Sequence, residues 1–227
     1  MKKKDSVAMA LKRGNVKSCG GLLDLAHIVP TAQCRYISVE GLNGVGKSTV
    51  VGRYMASHKD VTCFYPVHPA YLADLAMKRH ALFVATPISG ALYYLAALGD
   101  QRRELEASCE LAGRKLLSDR SVWSTLAAAY AKDPSCLPVL VKAVAAIGDQ
   151  LLIPQKVVVL KADFEVCRFR IEGRGQGMEW DCDTNLVFAR KYEFYDHLAA
   201  AGFDVTFIDA SGTIDQVYAA FEAVQLF

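Results

Sequence analysis

The sequence contains no Cys-x-x-Cys pair, no internal repeat, no low-complexity tract and almost no surplus of charge. Its seven cysteines, at 19, 34, 63, 109, 136, 167 and 182, are odd in number and scattered. That spacing speaks against a zinc ribbon, a thioredoxin-type redox pair or a secreted disulfide framework. It fits reduced, mostly buried thiols in a cytoplasmic setting. With 26 Lys+Arg against 24 Asp+Glu, the formal net charge is +2, too weak a field to track a nucleic-acid backbone. No secretory signal is apparent: Met1-Lys2-Lys3-Lys4 starts a basic leader, but Asp5, Lys12, Arg13, Asn15 and Lys17 break any apolar run. The longest uncharged stretch, Ala81 to Gly99, carries Pro87, Ser89 and Gly90 in its middle. It therefore reads as buried helical pieces rather than a membrane span.

What is present suits one α/β domain. The chain has 227 residues, 52% of them hydrophobic, enough to bury a core without staples. Residues 1–33 show no clear period and read as an N-terminal extension to a domain spanning 34–227. Short β-rich runs then alternate with helical periods. Tyr36–Val39, Val61–Tyr65, Lys115–Ser118, Val157–Leu160 and Phe203–Ile208 read as strands. Helical patterns follow Gly46 and fill 70–84, 89–112, 121–132 and 137–150. This alternation predicts a parallel sheet of five strands covered by helices on both faces.

The chemistry begins after the first strand. Residues 41–49 read Gly41-Leu42-Asn43-Gly44-Val45-Gly46-Lys47-Ser48-Thr49, the pattern G-x-x-x-x-G-K-[ST] between a strand and a helix. Glycines let the backbone wrap closely, so that successive N–H groups point at a phosphate. The helix N-terminus adds partial positive charge. Lys47 is positioned by this pattern to neutralise β- and γ-phosphate oxygens, and the Ser48 hydroxyl to ligate Mg²⁺. Asn43, Gly44, Val45, Gly46, Lys47, Ser48 and Thr49 are thus the expected binding residues for ATP, in a three-layer P-loop NTPase fold.

Beyond the loop, four segments resemble the thymidylate kinase family, and more loosely the deoxynucleoside kinases. They are Glu40–Thr49, Lys115–Ala129 (KLLSDRSVWSTLAAA), Pro154–Gly175 (PQKVVVLKADFEVCRFRIEGRG) and Phe207–Val217 (FIDASGTIDQV), in the family's order. The resemblance implies ATP- and Mg²⁺-dependent phosphoryl transfer to a nucleoside monophosphate, most like dTMP to dTDP. It also implies roles. Asp119 would hold Mg²⁺ or its water, and Arg120 would bridge the acceptor and the transferring phosphoryl group. Arg170 and Arg174, at i and i+4, would be cations of a short lid closing over ATP. Ala210 and Ser211 would border the adenine. Arg102 or Arg103 would grip the acceptor phosphate, and Ser124 would lie in the acceptor pocket. The partners implied are small nucleotides, with neither nucleic acid nor membrane, and the family's habit implies a homodimer.

The departures from the family concern the acceptor. Where thymidylate kinases have an acidic residue after the second strand, this chain has Tyr65, within Phe64-Tyr65-Pro66-Val67-His68-Pro69. In deoxynucleoside kinases that carboxylate would be the general base for a 5′-hydroxyl. A phenol is a poor base at neutral pH, whereas a monophosphate acceptor is already ionised and needs none. The family's Tyr-Gln of the thymine pocket is Ala128-Ala129, which weakens the case for thymine. Its "DRY" is "DRS" with Ser121, as in deoxynucleoside kinases. Its Asp-Arg on the third helix is matched loosely by Asp100-Gln101-Arg102-Arg103. Kinase activity toward a nucleoside or other hydroxyl, and nucleotide binding without transfer, therefore remain as alternatives.

Overall fold

A computed structural model of the chain describes residues 23–67, 71, 86–108, 111–173 and 184–227. The expected helix over 70–84 lies outside the described residues, apart from Tyr71, as do His68, Arg174 and Cys19, Cys109 and Cys182. The strands are β1 (Arg35–Gly41), β2 (Val61–Phe64), β3 (Lys115–Asp119), β4 (Lys156–Lys161) and β5 (Asp204–Asp209). The helices are α1 (Lys47–Ser57), α2 (Pro87–Ser108), α3 (Val122–Lys132), α4 (Leu137–Ala146), α5 (Phe164–Glu172), α6 (Asn185–Ala200) and α7 (Ile214–Glu222).

All strand pairings are parallel, and the sheet order is β2-β3-β1-β4-β5. The cause is visible in composition. Val157, Val158, Val159 and Leu160 of β4, and Leu116 and Leu117 of β3, are buried on both sides of the sheet. Runs of that kind need helices on both faces. On one side α1 and α7 pack together, with Tyr54 meeting Phe221 edge-on at 5.5 Å and Arg53 Nη1 bonded to Asp215 at 2.5 Å. On the other, α3 packs against both α2 and α6, and Trp123 meets Phe203 at 4.8 Å. The expected three-layer α/β architecture with a five-stranded parallel sheet is the one observed.

Element ends differ from the sequence reading for local reasons. The pattern over 137–150 divides into α4 and a 3-10 turn at Gly148–Gln150, where Gly148 interrupts the helix. Leu25 and Ile28 are buried in the main core, beside α4. The Thr31 hydroxyl donates to Leu151 O at 3.3 Å and accepts from Ile153 N at 2.9 Å, sewing this segment onto the approach to β4. Cys34, Cys136 and Cys167 are buried, whereas Cys63 is exposed. Among the described residues, no helix is long and apolar enough to cross a membrane.

The sheet order reverses around β1: β2 and β3 lie to one side, β4 and β5 to the other. In open parallel sheets, the crevice at the carboxyl ends of strands flanking such a reversal is where ligands bind. Here the carboxyl ends of β1 and β3 are adjacent, with Val39 registered against Asp119. The phosphate loop leaves β1 at that place.

Candidate active site

The loop from Gly41 to Gly46 turns through three residues of left-handed backbone: Gly41 at φ 128°, Gly44 at φ 80° and Gly46 at φ 107°. Only glycine adopts such angles without strain. Two of these glycines also pack against backbone. A Cβ at Gly41 would stand 2.5 Å from Leu160 O, and one at Gly44 would collide with Cys167 O and stand 2.9 Å from Ile171 Cγ1. At Gly46, by contrast, no atom of the described residues lies within 4 Å of a Cβ position. Gly44→Ala is therefore expected to push α5 off the loop and unfold the protein several degrees lower. The thermal transition measures it, and an unchanged transition would contradict this packing.

Lys47 opens α1 and is 5% exposed; its ammonium donates to Leu42 O at 2.8 Å, within its own loop. Burial, and next the Arg120 guanidinium, push its pKa down to about 7, against the pull of Asp119 and Glu40. A polyphosphate in the loop would restore the opposite charge that this ammonium lacks. Ser48 Oγ donates to Asp119 Oδ2 at 2.5 Å, tying the start of α1 to the end of β3. Asp119 Oδ1 is buried and has no hydrogen-bond partner among the described residues. A carboxylate oxygen orphaned beside a hydroxyl is the hard-oxygen donor set that suits Mg²⁺, which usually completes its shell with phosphate oxygens and water. The residues present fit the ion.

Arg120, immediately after β3, is in left-handed backbone at φ 79° without being glycine. Such a conformation costs about 1–3 kcal/mol and persists only where the surroundings over-determine it. They do so here. Its N–H donates to Val39 O at 3.0 Å, and its C=O accepts from Ser118 Oγ at 2.6 Å. The guanidinium then lies on the phosphate loop, donating to Gly41 O at 3.3 Å and to Asn43 Oδ1. Lys47, Ser48, Asp119, Arg120 and Asn43 are thus brought together by β1, β3 and the start of α1.

The other expected site residues fall into distinct places. Ala210 is fully buried and bonds through its N–H to Lys161 O at 2.7 Å, while Ser211 N is held by Asp209 Oδ1 at 2.9 Å. Arg170 links this turn to the phosphate loop. Its guanidinium donates to Ala210 O at 2.9 Å, Gly212 O at 3.0 Å and Val45 O at 3.4 Å. In this structure it stitches α5 and the 210–212 turn to the phosphate loop. Arg170→Ala is expected to cost about 1–3 kcal/mol of stability and to weaken ATP binding at least as much as turnover. Chemical denaturation and calorimetric titration measure the two effects.

Arg102 is not part of this group. Its guanidinium bonds Leu151 O at 2.7 Å and Glu106 at 2.9 Å, anchoring α2 to the segment before β4. Arg103 is exposed and pairs with Asp100, which also accepts from the Tyr71 hydroxyl. Tyr65 is 73% exposed. The Phe64–Ser118 register puts it level with Asp119 at the carboxyl edge of the sheet. The Ser124 hydroxyl donates to Glu40, buried at the end of β1. Glu40 is not among the residues that the sequence marks for the site. The signal was a charged residue ending an otherwise apolar strand, directly ahead of the loop.

No protein-family model matches the chain, and no curated protein matches it. Solved structures do resemble it. The deoxyadenosine kinase from M. mycoides with products dCMP and a flexible dCDP bound superposes with a TM-score of 0.62 at 14% identity, covering 85% of this chain and 100% of that one. The same enzyme with bound dATP gives a TM-score of 0.60 at 16% identity over 84% and 99% of the two chains. With bound dCTP it gives 0.60 at 14% identity over 85% and 100%. At this identity the likeness shows the fold alone, a five-stranded parallel sheet with helices around it.

Proposed function

We propose that this protein is a nucleotide kinase that transfers the γ-phosphoryl group of ATP to a nucleoside monophosphate, most like dTMP. Its site is built for phosphoryl transfer by positioning and electrostatics. The loop N–H groups and Lys47 hold the β- and γ-phosphates. Ser48 and Asp119 hold Mg²⁺, which when bound neutralises phosphate charge. Arg120, fixed at the loop's edge, compensates the charge that develops on the transferring group. Ala210 and Ser211 border the adenine, in the turn that Arg170 stitches to the loop.

The observation that carries the choice of acceptor is Tyr65. A hydroxyl acceptor must lose a proton, and the residue after β2 that stands level with Asp119 offers a phenol. A monophosphate acceptor attacks with an oxygen already ionised and needs no base there. A second reading, a deoxynucleoside kinase, is supported by Ser121 in place of tyrosine and by the likeness to solved deoxyadenosine kinases.

The deciding experiment is ADP release with ATP·Mg²⁺ against dTMP, dUMP, UMP, CMP, thymidine, deoxycytidine and deoxyadenosine. Turnover with a monophosphate is the expected result. Turnover with nucleosides alone establishes the second reading. ATP binding with silence across the panel would point to a nucleotide-binding protein without transfer.

A further inference from the structure

One group near the site has no part in the mechanism above. The Glu40 carboxylate is 0% exposed, yet three hydroxyls from two helices converge on it. Ser121 Oγ donates to Oε1 at 2.5 Å, Ser124 Oγ donates to Oε2, and Tyr195 of α6 donates to Oε2 at 3.0 Å. Burying a carboxylate in a sheet's core is unfavourable unless its oxygens accept hydrogen bonds, and here both do. Burial pushes the Glu40 carboxyl above its ordinary range, while the Ser121 and Ser124 hydroxyls, Arg120 and Tyr195 pull it down.

The placement of those hydroxyls gives the group its use. Ser121 follows Arg120 directly, and it also caps α3 by accepting from Trp123 N at 3.2 Å. Ser124 lies one turn further along the same helix. The carbonyl of Arg120 is already taken by Ser118 Oγ, which in turn is 2.8 Å from the Tyr36 hydroxyl. The left-handed turn at Arg120 is thus pinned to the sheet on one side by Ser118 and on the other, through Ser121 and Ser124, by Glu40. Glu40 itself is followed at once by Gly41, whose carbonyl receives the Arg120 guanidinium.

We infer that Glu40 is a positioning residue for phosphoryl transfer, holding the strained Arg120 turn through Ser121 and Ser124 so that the guanidinium is aimed at the phosphate loop before substrate binds. The inference rests on the proposed transfer reaction for its catalytic consequence, but the geometric part stands without it. A turn that costs energy relaxes when one of its anchors is removed. A charge displaced by even about 1 Å loses much of its effect on a transition state.

The test uses Glu40→Gln, with Ser124→Ala as the milder variant if Glu40→Gln does not fold. In the crystal structure of the variant, the Arg120 guanidinium should leave Gly41 O and Asn43. In the acceptor assay kcat should fall about tenfold or more, with KM for ATP within about twofold. In an Arg120→Ala background, adding the same substitution should change kcat less than about twofold, because residues acting through one group are not additive. An Arg120 that stays in place in the variant crystal overturns the inference, and so do kcat losses that multiply. If the wild-type protein transfers phosphate to no acceptor, the functional reading fails. The crystal structure then decides the role of Glu40 alone.

Discussion

Arg120→Ala is expected to lower kcat by about 10³–10⁵-fold, the range an arginine supplies when it compensates charge on a transferring phosphoryl group. The substitution isolates the guanidinium. Alanine and arginine pay the same steric cost at φ 79°, because both carry a Cβ. The backbone strain is therefore unchanged, and what disappears is the donor to Gly41 O and Asn43. Stability should move by no more than about 1–2 kcal/mol, the net worth of charge-assisted hydrogen bonds near a surface. Arg120→Lys should recover little, since a single ammonium cannot span the carbonyl and the amide as a planar fork does. Steady-state kinetics and chemical denaturation on the same preparations check both halves. Activity within a few-fold of wild type would remove Arg120 from the reaction.

Arg120→Gly would behave differently, and the contrast separates strain from charge. Glycine reaches left-handed backbone at no steric cost, so the folded state gains what the Cβ had opposed. Its greater freedom in the unfolded chain takes back about 0.5–1 kcal/mol. The natural residue is thus held in an unfavourable turn by Ser118, Val39 and the Ser121–Glu40 bond, although a glycine would fit more easily. A side chain kept against the backbone's preference is what the proposed role of Arg120 in transfer requires.

The sequence made the frame legible where the physics is local. Val157–Leu160 is an uninterrupted apolar run, which only a strand covered on both faces explains, and it is β4. The glycines of the phosphate loop imply a closely wrapped backbone, and Gly41, Gly44 and Gly46 wrap it through positive φ. Asp119-Arg120 at the end of an apolar strand had to fall at the sheet's carboxyl edge. What stayed hidden depends on partners far along the chain. Glu40 meets Ser121, Ser124 and Tyr195 at separations of 81, 84 and 155 residues, and no periodicity encodes such a meeting. Arg102 or Arg103 is a phosphate grip only through the loose match of Asp100-Gln101-Arg102-Arg103 to the Asp-Arg of the thymidylate kinase family's third helix. The Leu151 carbonyl that claims Arg102 belongs to a segment 49 residues away. Thr31 likewise finds Leu151 and Ile153 across about half the chain, which is why the first described residues join the core without a sequence signal.

Lys47→Met should abolish transfer and weaken Mg²⁺·ATP binding by about 10²-fold or more, yet leave the nucleotide-free protein as stable as wild type or more so. The reasoning turns on burial. The Lys47 ammonium is nearly inaccessible, and burial together with the neighbouring Arg120 guanidinium holds its pKa down at about 7. A buried cation short of compensating charge is destabilising, on the order of a few kcal/mol in real proteins. Methionine keeps the apolar stem and its volume while removing the charge, so packing against the loop is preserved. Leu42 O then loses its donor, which offsets part of the gain by about 1 kcal/mol. With ATP added the order should reverse, because a ligand that binds only the folded wild-type protein raises its stability by mass action. Thermal unfolding of both proteins, with and without ATP·Mg²⁺, reads this crossing directly. A variant clearly less stable without nucleotide would make Lys47 a structural residue. A variant that ATP still stabilises as much as wild type would take the ammonium out of phosphate binding.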